Sequence, residues 1–143
     1  MIEKIKANVE EIFSRLNWNE FEQGVAEIFT ANEFSVKRNV RFKTRRRYEI
    51  DIVAMKGNKV FCIDCKRLGG GRYKSSELKR AIALQKERMR EFKKFIKKSG
   101  LHTLKFYPLI VTLKEEDLIK FNNCFVVPVW KLNSFLVNLE RYF

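Results

Sequence analysis

Apolar residues recur every three or four positions at the start of the chain: Ile2, Ile5, Val9, Ile12 or Phe13, and Leu16. That spacing lines one face of an amphipathic helix. Asn17 to Asn19 interrupts it, and a second helix is expected from about Glu20 to Ala31, burying Phe21, Val25, Ile28 and Phe29. The period then shortens to two. Phe34, Val36 and Val40 alternate with polar residues, Tyr48 to Met55 and Val60 to Lys66 read as two further strands, and Lys56-Gly57-Asn58-Lys59 between them reads as a tight hairpin turn. Leu68 to Lys74, with three consecutive glycines, reads as a loop. A long helix follows from about Ser75 to Lys98, with Leu78, Ile82, Met89, Phe92 and Ile96 as its stripe and Ser99-Gly100 as its stop. Phe106 to Thr112 is a fourth strand. Thr112-x-x-Glu115 has the form of a capping box and predicts a short helix to about Phe121. Cys124 to Val129 is a fifth strand, with Pro128 near its end or at a sheet edge, and Leu132, Phe135, Leu136 and Leu139 mark a last helix. The order ααβββαβαβα implies an α/β protein, a mixed central β-sheet flanked by helices.

The 143 residues suit a single domain: an N-terminal helix (1–17), a core (18–112) and a β/α extension (113–143). Apolar residues make up 45%, including 13 Phe, enough to bury a core and to exclude wholesale disorder. The longest apolar runs, such as Cys124 to Trp130, are too short to cross a bilayer. Glu3, Lys4 and Lys6 interrupt the N-terminus, which therefore lacks the core of a signal peptide. A cytoplasmic protein with no membrane partner is expected. Lys and Arg number 30 against 17 Asp and Glu, a net charge of +13. That excess repels itself and favours an anionic partner, with nucleic acid first among the choices. A basic, solvated surface is the plain alternative.

The hairpin supplies the candidate chemistry. If Gly57 and Asn58 are the whole loop, Lys56 pairs with Lys59, Val53 with Cys62, Asp51 with Asp64, and Glu49 with Lys66. Those residues share one face; Ile50, Ile52, Ala54, Phe61, Ile63 and Cys65 share the other, which is the expected core. Directly opposed side chains have Cβ atoms roughly 5 Å apart, and two carboxylates so placed destabilise one another. A hard divalent ion reverses the sign, and Mg²⁺ takes one or two carboxylates plus waters and phosphate oxygens. Lys66 reaches the same side, where it can orient a water or stabilise charge on a phosphate. The alternative is a solvated face carrying a Glu49–Lys66 ion pair.

Two more polar residues fall where apolar ones are expected. Glu22 lies near the buried stripe of the second helix, either as part of the site or as the N3 partner of an Asn19 cap. Gln85 interrupts the stripe of the long helix and needs hydrogen-bond partners if buried. Cys62 and Cys65 have CxxC spacing, but three residues apart on a strand they face opposite ways and cannot share a metal. Cys124 and the single His102 add no metal site.

Asp51, then Asp64-Cys65-Lys66 across a hairpin, resembles the PD-(D/E)xK signature of restriction-endonuclease-like nucleases. Phe21-Glu22-Gln23-Gly24-Val25-Ala26-Glu27-Ile28-Phe29 and Tyr48-Glu49-Ile50-Asp51-Ile52-Val53-Ala54 resemble the Mrr-type branch, and archaeal Holliday-junction resolvases are similar in size and basicity. The resemblance covers about residues 18–112. It implies a restriction-endonuclease-like core and Mg²⁺- or Mn²⁺-dependent hydrolysis of DNA phosphodiester bonds. It implies metal binding by Asp51, Asp64, Glu22 and the backbone carbonyl of Cys65. Lys66 would assist the attacking water, and Gln85 matches a frequent glutamine of the Mrr-type helix. The chain departs from the pattern in having Ile50 before Asp51 in place of Pro, and Asp64 in place of the more usual Glu. Such nucleases often act as dimers, because two strands need two sites, so a homodimer through the first or last helix is considered. A non-catalytic DNA-binding module on the same fold is the competing reading.

Arg38, Arg41, Lys43, Arg45, Arg46 and Arg47 crowd the segment before the Asp51 strand, and Arg67, Arg72, Lys74, Lys79 and Arg80 follow the Lys66 strand. Both groups are candidates for tracking a phosphate backbone. The glycine loop between them lacks the Lys-Ser/Thr of a P-loop. No helix-turn-helix, zinc finger or base-stacking sheet motif is evident, so structure-selective or weakly sequence-specific cleavage is expected.

Overall fold

Two helices open the chain, α1 (Ile2–Ser14) and α2 (Trp18–Ala31), in the computed structural model, which describes residues 1–66, 75–98, 100, 103–116 and 118–143. The sequence holds two overlapping Asn-x-x-Glu boxes, and the earlier one caps α2. Asn17 Oδ1 accepts from Glu20 N at 2.8 Å, and Glu20 Oε1 accepts from Asn17 N at 3.0 Å. The Asn19–Glu22 box is thus corrected. Starting at Trp18 lets that indole stack on Phe21, ring centroids 6.5 Å apart, and leaves Glu22 buried on the inward face.

Three antiparallel strands follow: β1 (Ser35–Lys43), β2 (Arg47–Lys56) and β3 (Lys59–Lys66). β1 runs past Val40 because Phe42 pairs with Tyr48 and stacks on it. The basic residues 43–47 are therefore the tip of a β1–β2 hairpin rather than a lead-in segment. At the β2–β3 turn Gly57 has φ +60°, the conformation that a type II′ loop requires at its first central residue. The observed pairs, Lys56↔Lys59 through Ile52↔Ile63, follow the expected register.

α3 (Ser75–Lys97) crosses over to β4 (Lys105–Thr112), which lies parallel to β3. No described residue of 113–121 is helical. Lys120–Phe121 forms a short strand, β5, antiparallel to β6 (Cys124–Pro128), where a helix was expected. Thr112 is buried at the end of β4 and its hydroxyl donates to the Lys114 carbonyl at 2.7 Å, while Glu115 is taken by Lys6 and Lys131. The capping-box spelling is thus used for other bonds. α4 (Val129–Val137) and a 3₁₀ turn (Leu139–Arg141) close the chain. The sheet order is β1-β2-β3-β4-β6-β5.

Both sheet faces are covered. α2 and α4 pack on Ile52, Ala54, Phe61, Ile63, Cys65, Leu109 and Val111. The opposite face also carries core: Val53, Val60 and Cys62 pack with Met89 and Phe92 of α3, Ile110 packs with Leu78 and Ile82, and Ile50, expected beside Ile52 and Ala54, packs here instead. A parallel crossover must lay its helix on a sheet face, which is why α3 roofs this one. Cys62 and Cys65 fall in different clusters, on opposite faces, and all three cysteines are free and buried. Among the described residues no helix is long and apolar enough to cross a membrane. The glycine loop and His102 lie outside the described residues.

Candidate active site

Asp51 sits where β2 parts from both of its neighbours. Toward β1, the pairs Arg38↔Ile52 and Val40↔Ile50 skip Asn39, which stands opposite Asp51 with φ +52°. Toward β3, the paired residues end at Ile52↔Ile63, one step short of Asp51 and Asp64. In place of a ladder bond, Cys65 N donates to Asp51 Oδ2 at 2.9 Å. Irregularities of this kind re-aim a side chain that regular pairing would hold flat.

The carboxyl groups of Asp51 and Asp64 come together here. Burial, then the Asp64 charge beside it, pushes Asp51 up to about 7; the Cys65 N–H opposes that rise without cancelling it, and Glu22 adds a smaller upward push. Asp64 is buried, and its Oδ2 lies 3.1 Å from Lys66 Nζ, near enough for charge attraction but without a directed hydrogen bond. The Lys66 side chain is 31% exposed, so the ammonium beside Asp64 is open to solvent.

The donors suit a hard cation. Two adjacent carboxylates, one with an orphaned buried oxygen, match the one or two carboxylates that Mg²⁺ takes from a protein. Among the described residues, however, no three His, Cys, Asp or Glu side chains are grouped to hold a metal. Glu22, the expected third acid, is engaged elsewhere. Its Oε1 lies 3.3 Å from Arg38 Nη2. Burial still raises the Glu22 pKa despite Arg38. Cys65 is fixed beside the pair by its N–H, and burial holds its thiol well above its ordinary range. Gln85 is buried on α3, and its Oε1 accepts from Arg88 Nη1 at 3.3 Å. Among the described residues its Nε2 has no partner, and no hydrogen bond ties it to Asp51, Asp64 or Lys66.

Residues 17–122 match the sequence pattern of NERD, the nuclease-related domain. The chain belongs to this family. An uncharacterized protein of Archaeoglobus fulgidus is 35% identical over 128 residues, covering 89% of this chain and 95% of its own length. Of solved structures, the small subunit (R.BspD6I2) of the heterodimeric restriction endonuclease R.BspD6I aligns with a TM-score of 0.59 at 14% identity, over 97% of this chain and 78% of that one. A protein of unknown function, AF1548, aligns with a TM-score of 0.49 at 22% identity over 79% of this chain; the NERD chain spans about half of that protein, 52%. The fold is thus restriction-endonuclease-like, as the hairpin motif implied.

The basic residues of this NERD domain divide by what holds them. Arg38 is turned inward to α2. Arg41 Nε donates to Glu49 Oε2 at 2.7 Å across β1 and β2. Arg45 and Arg46 pair with Glu87 of α3, and Arg46 stacks over the Tyr48 ring at 5.0 Å. Thr44 Oγ1 donates to Glu91 Oε1 at 2.6 Å, so the β1–β2 tip is pinned to α3. The Thr44 hydroxyl and Lys94 hold Glu91 below the usual carboxylate range. Lys43, Arg47 and Arg80 are exposed, and Lys79 lies 4.9 Å from the centre of the Phe121 ring. Arg67, Arg72 and Lys74 lie outside the described residues. Sequence reasoning missed Arg38 as the partner of Glu22 and missed the Thr44–Glu91 anchor. A cation two residues after Val36, and so on the same α2-facing side, was the available signal for Arg38.

Proposed function

We propose that this NERD chain hydrolyses phosphodiester bonds of DNA with Mg²⁺ or Mn²⁺ held by Asp51 and Asp64. The reading is carried by one observation: two carboxyl groups, Asp64 buried and Asp51 half-buried, meet at a break in the sheet, with the Lys66 ammonium 3.1 Å from Asp64. Without a cation that arrangement is unfavourable, since like charges so placed cannot both ionise freely. When bound, the ion supplies positive charge for the phosphate and for a coordinated water. The chain's own groups do the rest. Asp64 holds Lys66 in place, and Lys66 donates to a non-bridging phosphate oxygen or orients the attacking water as charge develops. The Cys65 N–H keeps the Asp51 carboxylate aimed between the strands. Lys43, Arg47 and Arg80 are exposed cations available for the backbone on either side of the cut.

Nothing in this set reads a base, so cleavage is structure-selective or weakly sequence-specific. The stretches Phe21–Phe29 and Tyr48–Ala54 support placement beside Mrr-type nucleases. Cutting both strands of a duplex needs two sites, which a homodimer would supply. The restriction endonuclease whose small subunit shares this fold is heterodimeric by description, and a second subunit is the equivalent solution.

The test is incubation of supercoiled plasmid and of a four-way junction with Mg²⁺ or Mn²⁺. Nicking by the native chain is expected, with loss of about 10²-fold or more for Asp64→Ala and Lys66→Ala. Cutting confined to the junction would assign a resolvase. Retention of DNA without cutting under either metal would refute the nuclease reading in favour of a binding module.

A further inference from the structure

The environment of Glu22 points to a role for Arg38 beyond charge on the surface. Its guanidinium donates to Gln23 Oε1 at 3.0 Å, to the Asn19 carbonyl at 3.1 Å, to Asn19 Oδ1 at 2.8 Å and to Glu22 Oε1 at 3.3 Å. Four acceptors from one turn of α2 thus converge on one side chain of β1. The Glu22 side chain is 4% exposed and that of Arg38 22%, so the pair is screened from water and the ion pair is stronger than a surface one. Arg38 also stands one residue before Asn39, whose left-handed backbone faces Asp51. The arginine therefore joins α2 to the strand position where the sheet opens.

We infer that Arg38 is a positioning residue that withholds Glu22 from the metal, so that the centre is a two-carboxylate site with an arginine occupying the charge of the third acid. This rests on the proposed metal site at Asp51 and Asp64. A site of that kind binds its ion loosely by itself and tightly once phosphate oxygens complete the shell, which couples ion capture to substrate. Releasing Glu22 would add a hard oxygen donor and tighten the free protein's hold on the ion while weakening that coupling.

The experiment is a titration of the 143-residue chain with Mn²⁺ without DNA, free Mn²⁺ being followed by electron paramagnetic resonance. Arg38→Met is expected to tighten Mn²⁺ binding about tenfold, and the Arg38→Met, Glu22→Gln double variant to lose that gain. Glu22→Gln alone is expected to change Mn²⁺ affinity less than about threefold, whereas Asp51→Asn removes binding. Glu22→Gln keeps the shape of the side chain, and it remains decisive if Arg38→Met does not fold. Loss of Mn²⁺ binding in Glu22→Gln comparable to that in Asp51→Asn would overturn the inference, as would an unchanged affinity in folded Arg38→Met. Either result leaves the metal site standing. Absence of Mn²⁺ uptake by every variant and by the native chain would overturn both.

Discussion

Replacing Asp51 by Asn isolates the cost of placing two acids together. The amide keeps an oxygen to accept from Cys65 N and removes the charge. In the folded chain Asp51 is pushed from 3.8 up to about 7, whereas the unfolded chain ionises it near the ordinary value. Below about pH 4 the group is protonated in both states and contributes no difference. Between about pH 4 and 7 the folded state holds the extra proton, so its stability falls as pH rises, by at most about 1.36 kcal/mol per pH unit. The full span amounts to about 4 kcal/mol, an upper bound because the Asp51 carboxyl is coupled to its neighbour. Measured by urea unfolding in chelator, with Trp18 and Trp130 as fluorophores, Asp51→Asn should match the native chain near pH 4.5 and exceed it by several kcal/mol, at most about 4, at pH 8. Burial is the larger cause and the Asp64 charge the second, so Asp64→Asn should recover a smaller part. Saturating Mg²⁺ should erase the advantage of Asp51→Asn. A constant difference across pH, or one growing in favour of the native chain, would refute the reasoning.

Three further outcomes follow from named residues. Asn17→Ala removes the acceptor for Glu20 N and should cost about 1 kcal/mol in urea unfolding. A Cβ on Gly24 would come 2.6 Å from Phe13 Cε1, so Gly24→Ala should weaken the seat of α1 on α2 and lower stability by about 1 kcal/mol. In a Phe13→Ala background the same change should instead stabilise, through the helix propensity of alanine. Lys43→Ala and Arg47→Ala should each reduce the slope of log affinity against log salt for duplex DNA, measured by fluorescence anisotropy, by about 0.9 for every phosphate the side chain had neutralised.

The centre of the fold was legible because its signals are local. Gly57-Asn58 between two apolar runs fixed the β2–β3 register, and that register carried Asp51 toward Asp64 before any tertiary contact was known. Gln85 was legible as a buried polar residue because it broke a helical stripe. What the sequence hid is non-local. Two Asn-x-x-Glu boxes overlap at the start of α2, and only the packing of Trp18 on Phe21 selects the first. Thr112 and Glu115 spell a cap, but burial in a parallel strand and ion pairs to Lys6 and Lys131 claim them instead. The pairing of Arg38 with Glu22 joins a strand to a helix 16 residues earlier, and no spacing rule reports it.

The two-residue turn between β2 and β3 also governs how the polypeptide assembles. β3 reaches its parallel neighbour β4 only after the whole of α3, whereas it reaches β2 at once. Closing a short loop costs less chain entropy than closing a long one. The hairpin therefore zips early, and the nascent molecule carries mutually repelling anions through every later step of its collapse. If the proposed divalent ion binds Asp51 and Asp64, its presence during refolding would relieve that repulsion before α3 closes over the sheet.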